Sequence, residues 1–322
     1  MRRRNTSPMS QAEHASATRL SALFGLVKTT ATDWVDDQAP RLAAALAYYA
    51  LLSLAPLIVL ALAIAGLAVD EEAARGGIAR ELSGLVGTAG AEAVEGIVRN
   101  AKAPAAGIVG TVLGVIVLLF GASGVFGELE SALDAIWEVA PRPGRGIKGL
   151  IFDRLFSFAM VMGVAFLLLV SLIMSTVLAA VGRVLSGALP GGEGVWQIAN
   201  FAISLAVVTG LFALTFKTVP HAKVAWRDVG VGAFVTALLF TLGKSLIGLY
   251  LGKASIASAY GAAGSLVVLV IWVYYSASIL LLGAEFTQVY ASRYGSRIEP
   301  GKNAIRVESA GIEHAKNTVP GR

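Results

Sequence analysis

The sequence predicts an all-α, polytopic integral membrane protein with six transmembrane helices and amphipathic helices at the membrane surface. Three observations carry this reading. Hydrophobic residues make up 56% of the 322 residues before the 36 glycines are counted, and charged residues only 15%, against about 45–50% apolar and 25% charged in soluble domains. Uncharged runs of spanning length recur along the chain, and roughly 20 helical residues cross a bilayer core about 30 Å thick. Lysine and arginine outside those runs fall mostly on alternate loops, as they do in multi-pass proteins.

In chain order, Leu20, Leu23, Phe24 and Val27 recur at helical spacing beside Arg19 and Lys28. That pattern fits a helix lying in the membrane interface or packing on the spans. The six spans are expected near 43–66, 104–124, 156–180, 197–216, 230–251 and 264–286, forming one membrane domain over 19–292. In the first external loop, Ile78, Leu82, Leu85 and Val86 make one apolar stripe and Ala93, Val94, Ile97 and Val98 another. Two short helices there would lie over the outer mouth as a lid or a partner surface. After the second span, Val125, Leu129, Leu133, Ile136 and Trp137 keep a helical face going, until Pro141, Pro143, Gly144 and Gly146 end it. The polar, aperiodic ends at 1–18 and 293–322 are expected to be disordered.

Orientation follows from charge. Basic residues crowd 2–41, 142–154, 217–227 and 293–322, whereas the opposite side holds only Arg75, Arg80, Arg99, Lys102, Arg183 and Lys253. Both termini are therefore expected in the cytoplasm of a bacterial inner (plasma) membrane protein. The first apolar run begins after about 40 mostly polar residues, so no cleavable signal peptide is expected. The net charge of +5 is sufficiently explained by topology, and no nucleic-acid partner is expected.

The composition also excludes several chemistries. With no cysteine, the chain has no disulfide, thiolate metal site or cysteine nucleophile. His14, His221 and His314 lie in a tail, a short loop and the other tail, and none is expected to have a second histidine or carboxylate at metal-ligand spacing. No phosphate-binding glycine loop is present. The expectation is a protein that is not an enzyme, with no metal and no cofactor.

Polar residues at membrane depth mark pathways and binding sites. Asp36, Asp37, Arg41, Tyr49 and Ser53 open span one, with Asp37, Arg41, Tyr49 and Ser53 on one helix side and Pro56 following. Asp37 is a plausible N-cap. Pro56 removes a backbone hydrogen bond near mid-membrane, which favours a kinked helix lining a cavity. In span five, Thr241 and Lys244 share a face with Gly248, and Tyr250 lies one turn nearer the outside. Lys244 is either a cationic site or a side chain that snorkels outward or is paired for structure. In span six, Tyr275 and Glu285 fall on one side with Trp272 close by. Glu285 is either a pathway group, or an interfacial carboxylate or one salt-bridged to a basic loop.

Three runs are specific together: Asp36-Asp37 through Arg41, Tyr48-Tyr49, Ser53 and Pro56; Gly124-Val-Phe-Gly-Glu128 through Trp137; and Tyr260-Gly261 through Trp272, Tyr275 and Gly283-Ala-Glu285. The chain resembles the YihY/BrkB family of bacterial inner-membrane proteins from about residue 30 to 292. Asp134 departs from the asparagine expected in relatives. The resemblance implies a link to envelope integrity and no settled substrate. Family members have carried a ribonuclease name, which the histidine census argues against. The function expected is a translocator of lipid or another anionic amphiphile, with membrane lipids as partners. The alternatives are an ion-coupled exchanger using Asp36, Asp37 or Glu285, and a non-transporting scaffold for other envelope proteins.

Overall fold

A computed structural model describes residues 8–65, 124–142, 192–253 and 264–307. The expected spans near 104–124 and 156–180, the external loop and residues 308–322 lie outside the described residues, save Gly124. The described chain is mostly helical: α1 (Pro8–Asp36), α2 (Ala39–Ala65), α3 (124–136), β1 (Val139–Pro141), α4 (Gly192–Thr218), β2 (Ala222–Lys223), α5 (Trp226–Lys253), α6 (Gly264–Tyr294), β3 (Glu299–Pro300) and β4 (Ala304–Arg306).

Three described segments are long and apolar enough to cross a membrane: Phe201–Thr218, Trp226–Ile247 and Leu266–Tyr294. They fall on the expected spans four to six. Phe201, Ile203, Phe234, Leu242, Leu246 and Leu266 are exposed on them, which is the surface a bilayer solvates and water does not.

Helix α6 is central, packing against α1, α2 and α5, while α4 packs on α5. The α5–α6 contact is antiparallel and very close. A Cβ at Gly232 would overlap Thr287, one at Gly283 would overlap Thr236, and one at Gly243 would overlap the Tyr275 hydroxyl. Steps forward along α5 thus match steps backward along α6. Small residues permit this approach where apolar burial gives helices no preference over lipid. The threonine hydroxyls are satisfied within their own helices, Thr236 Oγ1 donating to the Gly232 carbonyl and Thr287 Oγ1 to that of Gly283, both at 2.7 Å.

The helix ends gather at one end of the bundle. Its core includes Leu133, Ile136, Trp137, Phe216, Val229 and Leu281, all buried. The buried members on α3 lie on the face its periodicity predicts. Aromatic rings then run from Trp137 to Phe216 (centroids 6.1 Å), Phe212 (6.2 Å), Phe240 (5.7 Å) and Trp272 (6.3 Å), linking that end to the membrane interior.

The ends of the chain differ from expectation. Helix α1 begins at Pro8 rather than after a disordered stretch to residue 18. The segment from 293, expected to be a disordered tail, is ordered through Val307. It makes two short antiparallel pairings, β4 with β1 and β3 with β2. Backbone partners far away in sequence supply the order, and strands of two or three residues carry no periodicity to read. Asp228 anchors the turn into this segment, its carboxylate accepting from the Ser296 backbone and hydroxyl at 3.0 Å each. A Cβ at Gly295 would overlap that carboxylate.

Alanine at Gly232 or Gly283 should push α5 and α6 apart and lower stability by about 1–3 kcal/mol. Gly230, with no atom within 4 Å of its added Cβ, should instead gain about 0.5–1 kcal/mol as alanine. Thermal unfolding of the three variants in detergent reads both effects, and equal midpoints would show that the close approach does not carry the interface.

Candidate functional site: a buried carboxyl beside the α1–α2 turn

Asp36 ends α1, and Asp37 and Gln38 form the turn into α2. Gln38 adopts a left-handed backbone (φ 55°), and its carbonyl accepts from Arg41 N at 2.8 Å and Leu42 N at 3.2 Å. Gln38, not Asp37, therefore stands at the N-cap, contrary to expectation, because the left-handed residue places the turn one position later. Helix α2 then buries Ala39, Ala43, Leu46 and Ala47. Of the polar stripe, Arg41 and Tyr49 are exposed and Ser53 is half-buried. Tyr49 stacks edge-on with Tyr48 at 5.6 Å, and its ring limits Gly124, where a Cβ would sit 3.0 Å away. Ser53 Oγ donates to its own helix, to the Ala50 carbonyl at 3.0 Å. The helix continues through Pro56, whose side chain lies outside the described residues.

Across the bundle, Glu285 is fully buried in α6, at 0% exposure. It lies two residues beyond Gly283, about 200° around the helix, and so on the side away from α5. Neither carboxylate oxygen makes a hydrogen bond of normal geometry. Among the described residues, the charged neighbours acting on it are Asp37, Asp33 and Glu138, all acidic. Partial desolvation raises the Asp37 carboxyl above the ordinary carboxylate range; the approach of Glu285 works the other way, and Glu138, Asp33 and Asp36 add to the rise.

The other two buried acids among the described residues are solvated by the protein. Asp228 holds the Ser296 contacts described above. Asp134 accepts from His221 N at 2.7 Å and meets His221 Nδ1 at 2.8 Å. Buried acids ordinarily have such partners, so Glu285 stands apart.

The remaining expected residues form a second, separate group. Thr241 and Lys244 are half-buried on α5 and Tyr250 is exposed. Thr241 Oγ1 donates to the Ala237 carbonyl at 2.7 Å. Tyr275 meets α5 at Gly243, and Trp272 packs edge-on against Phe240. Glu285 lies ten positions beyond Tyr275, roughly 15 Å along the helix axis. The structure thus joins Asp37 to Glu285, and Tyr275 to the Lys244 level of α5, but not the two groups to each other.

Sequence reasoning missed one cluster. Glu130 and Asp134 of α3 converge with His221 of the α4–α5 loop. The conclusion that no histidine has nearby metal-type ligands is thereby corrected. The two acids stand four apart on one helix, which is a visible signal, but the histidine is brought in from far along the chain.

A family model described as Virulence factor BrkB matches residues 30–308. The chain belongs to the BrkB family. This BrkB-family chain is 29% identical to a UPF0761 membrane protein of Ralstonia nicotianae, over 77% of its own length and 55% of the relative's. It is 29% identical to one of Pseudomonas paraeruginosa (78% and 59%) and 28% identical to one of Psychromonas ingrahamii (75% and 79%). The chain spans little more than half the length of the first two. No solved structure matches it. It is a membrane protein, as the UPF0761 relatives are by name, and carries helices long and apolar enough to be transmembrane.

Because the folded chain holds the Asp37 proton more tightly than the unfolded one, the associated stability is fully present below the unfolded pKa of about 3.9. It is lost as pH rises through the folded value. Asp37→Asn should therefore unfold at a higher temperature than the parent at neutral pH and match it in acid. An unchanged midpoint at neutral pH would show that Asp37 is freely hydrated.

Proposed function

We propose that this BrkB-family chain translocates a lipid or another anionic amphiphile across the bacterial inner membrane, in support of envelope integrity, and that a proton on Glu285 is coupled to the movement. The observation that carries the reading is Glu285 itself. It is fully buried in a helix apolar enough to span, with no hydrogen bond of normal geometry to either oxygen and, among the described residues, with acids as the charged groups acting on it. A carboxyl kept only for structure is paired with a base or fully hydrogen-bonded. One that faces other acids inside a bundle is characteristic of a proton relay. Asp37 lies at the turn between two helices and provides the step between Glu285 and the cytoplasm.

Lys244 supports the charge of the cargo. It is half-buried on α5, one turn from Thr241, with exposed Leu242 and Leu246 on either side. A cation set among lipid-facing leucines can take an anionic head group while the acyl chains stay in the bilayer. The orientation that puts both termini in the cytoplasm belongs to the same reading, resting on the distribution of lysine and arginine.

Purified protein reconstituted in liposomes should exchange a head-group-labelled anionic lipid between leaflets faster than empty liposomes, at a rate that varies with pH. Glu285→Gln should remove the pH dependence. Lys244→Ala should slow exchange by about tenfold, the equivalent of one lost charge-assisted contact. Exchange equal to that of empty liposomes at every pH would overturn translocation and favour a scaffold. Exchange indifferent to Glu285→Gln would overturn the proton coupling alone.

A further inference from the structure

Three side chains that the translocation reading does not use converge where α3 meets the α4–α5 loop. Glu130 and Asp134 stand one turn apart on α3, and His221 immediately precedes β2. His221 Nδ1 lies 3.1 Å from Glu130 Oε1 and 2.8 Å from Asp134 Oδ2. One ligand atom from each residue lies within 4.8 Å of the other two. We infer that Glu130, Asp134 and His221 form a binding site for one divalent first-row metal ion, which clamps α3 to the α4–α5 loop.

The spacing fits coordination. Two ligand atoms each about 2.1 Å from one ion and at right angles to each other lie about 3.0 Å apart, and both nitrogen–oxygen separations fall beside that value. The donor set is one imidazole and two carboxylates, which suits Zn²⁺, Mn²⁺ or Fe²⁺ rather than a soft, thiolate-seeking ion. With the metal on Nδ1, the ring proton sits on Nε2.

The surroundings hold the ligands in place. The second oxygen of Asp134 accepts the His221 backbone N–H at 2.7 Å, which fixes the carboxylate against the loop that carries the imidazole. Hydrogen bonds of this kind orient ligands and tune their affinity. The His221 carbonyl accepts from Gly301 N at 2.7 Å, and a Cβ on Gly301 would meet that carbonyl at 2.6 Å. The loop is therefore held from its far side by the β2–β3 pairing. Side-chain exposures of 8% for Asp134, 17% for His221 and 21% for Glu130 leave an open edge where water completes the coordination shell.

A proton on Nδ1, shared with the two carboxylates, would hold the same three residues together, so the experiment must separate proton from metal. The full-length protein, purified in detergent without a histidine tag and stripped with chelator, is titrated with Zn²⁺ by calorimetry and with Mn²⁺ by electron paramagnetic resonance. The expected result is saturable binding of one ion per chain with a raised unfolding midpoint. In Glu130→Gln and Asp134→Asn the affinity should fall by about 100-fold or more and the midpoint shift should vanish. These two substitutions keep side-chain size. Glu130→Gln leaves the Asp134–His221 contacts in place, so it decides the matter if Asp134→Asn does not fold. No saturable binding to the folded parent up to millimolar metal would overturn the inference in favour of a histidine–carboxylate contact, as would binding unaffected by Glu130→Gln. Neither result bears on lipid exchange, because Glu285 and Lys244 are untouched.

Discussion

The described structure depends on the close approach of α5 and α6. At Gly232, Gly243 and Gly283 a single added methyl group would overlap the facing helix. Lipid competes with protein for apolar surface, so this shape match, not hydrophobicity, holds the two helices in register. Thr236 and Thr287 complete it without stranding polar atoms, since each hydroxyl returns to a carbonyl of its own helix. With α5 locked on one side of α6, the other side is left for α1 and α2. That is the side where Glu285 meets the charges of Asp33 and Asp37.

The gathered end exposes charges of both signs, Arg41, Lys223, Arg227, Arg293 and Arg297 beside Asp36, Asp37, Glu138 and Glu299, while Asp134, Asp228 and Glu285 are buried. The exposed groups are solvated by water. The interior acids face a different demand, because a carboxylate removed from water needs donors. Loop backbone supplies them to Asp134 from His221 and to Asp228 from Ser296. Glu285 lies within a helix whose amide groups are already committed to its own turns, so no such donor is available from its neighbours in sequence.

Much of this was legible in the sequence where a local rule governs. Spans four to six follow from uncharged length, and the buried face of α3 from the spacing of Leu133, Ile136 and Trp137. The place of Glu285 in an apolar run was legible, though its burial without a hydrogen bond of normal geometry was not. The reading failed where geometry overrides type. Asp37 is a good capping residue, but the left-handed Gln38 beside it shifts the helix start. Strands as short as Ala222–Lys223 have no pattern to detect. His221 reads as an isolated loop histidine until folding brings α3 against it, and the order of residues 297–307 comes from partners in two distant segments.

Those distant pairings bear on how the molecule is made. Strand β1 pairs with β4, and β2 with β3, yet β3 and β4 emerge from the ribosome only after α6 has been synthesised. Closing such long loops carries an entropic penalty that must be met before any contact is gained. The helices must therefore enter the bilayer and find one another first, with β1, β2 and the loop bearing His221 waiting for their partners. The late strands act as a latch on a bundle already assembled, so sealing of this end reports that synthesis has passed α6.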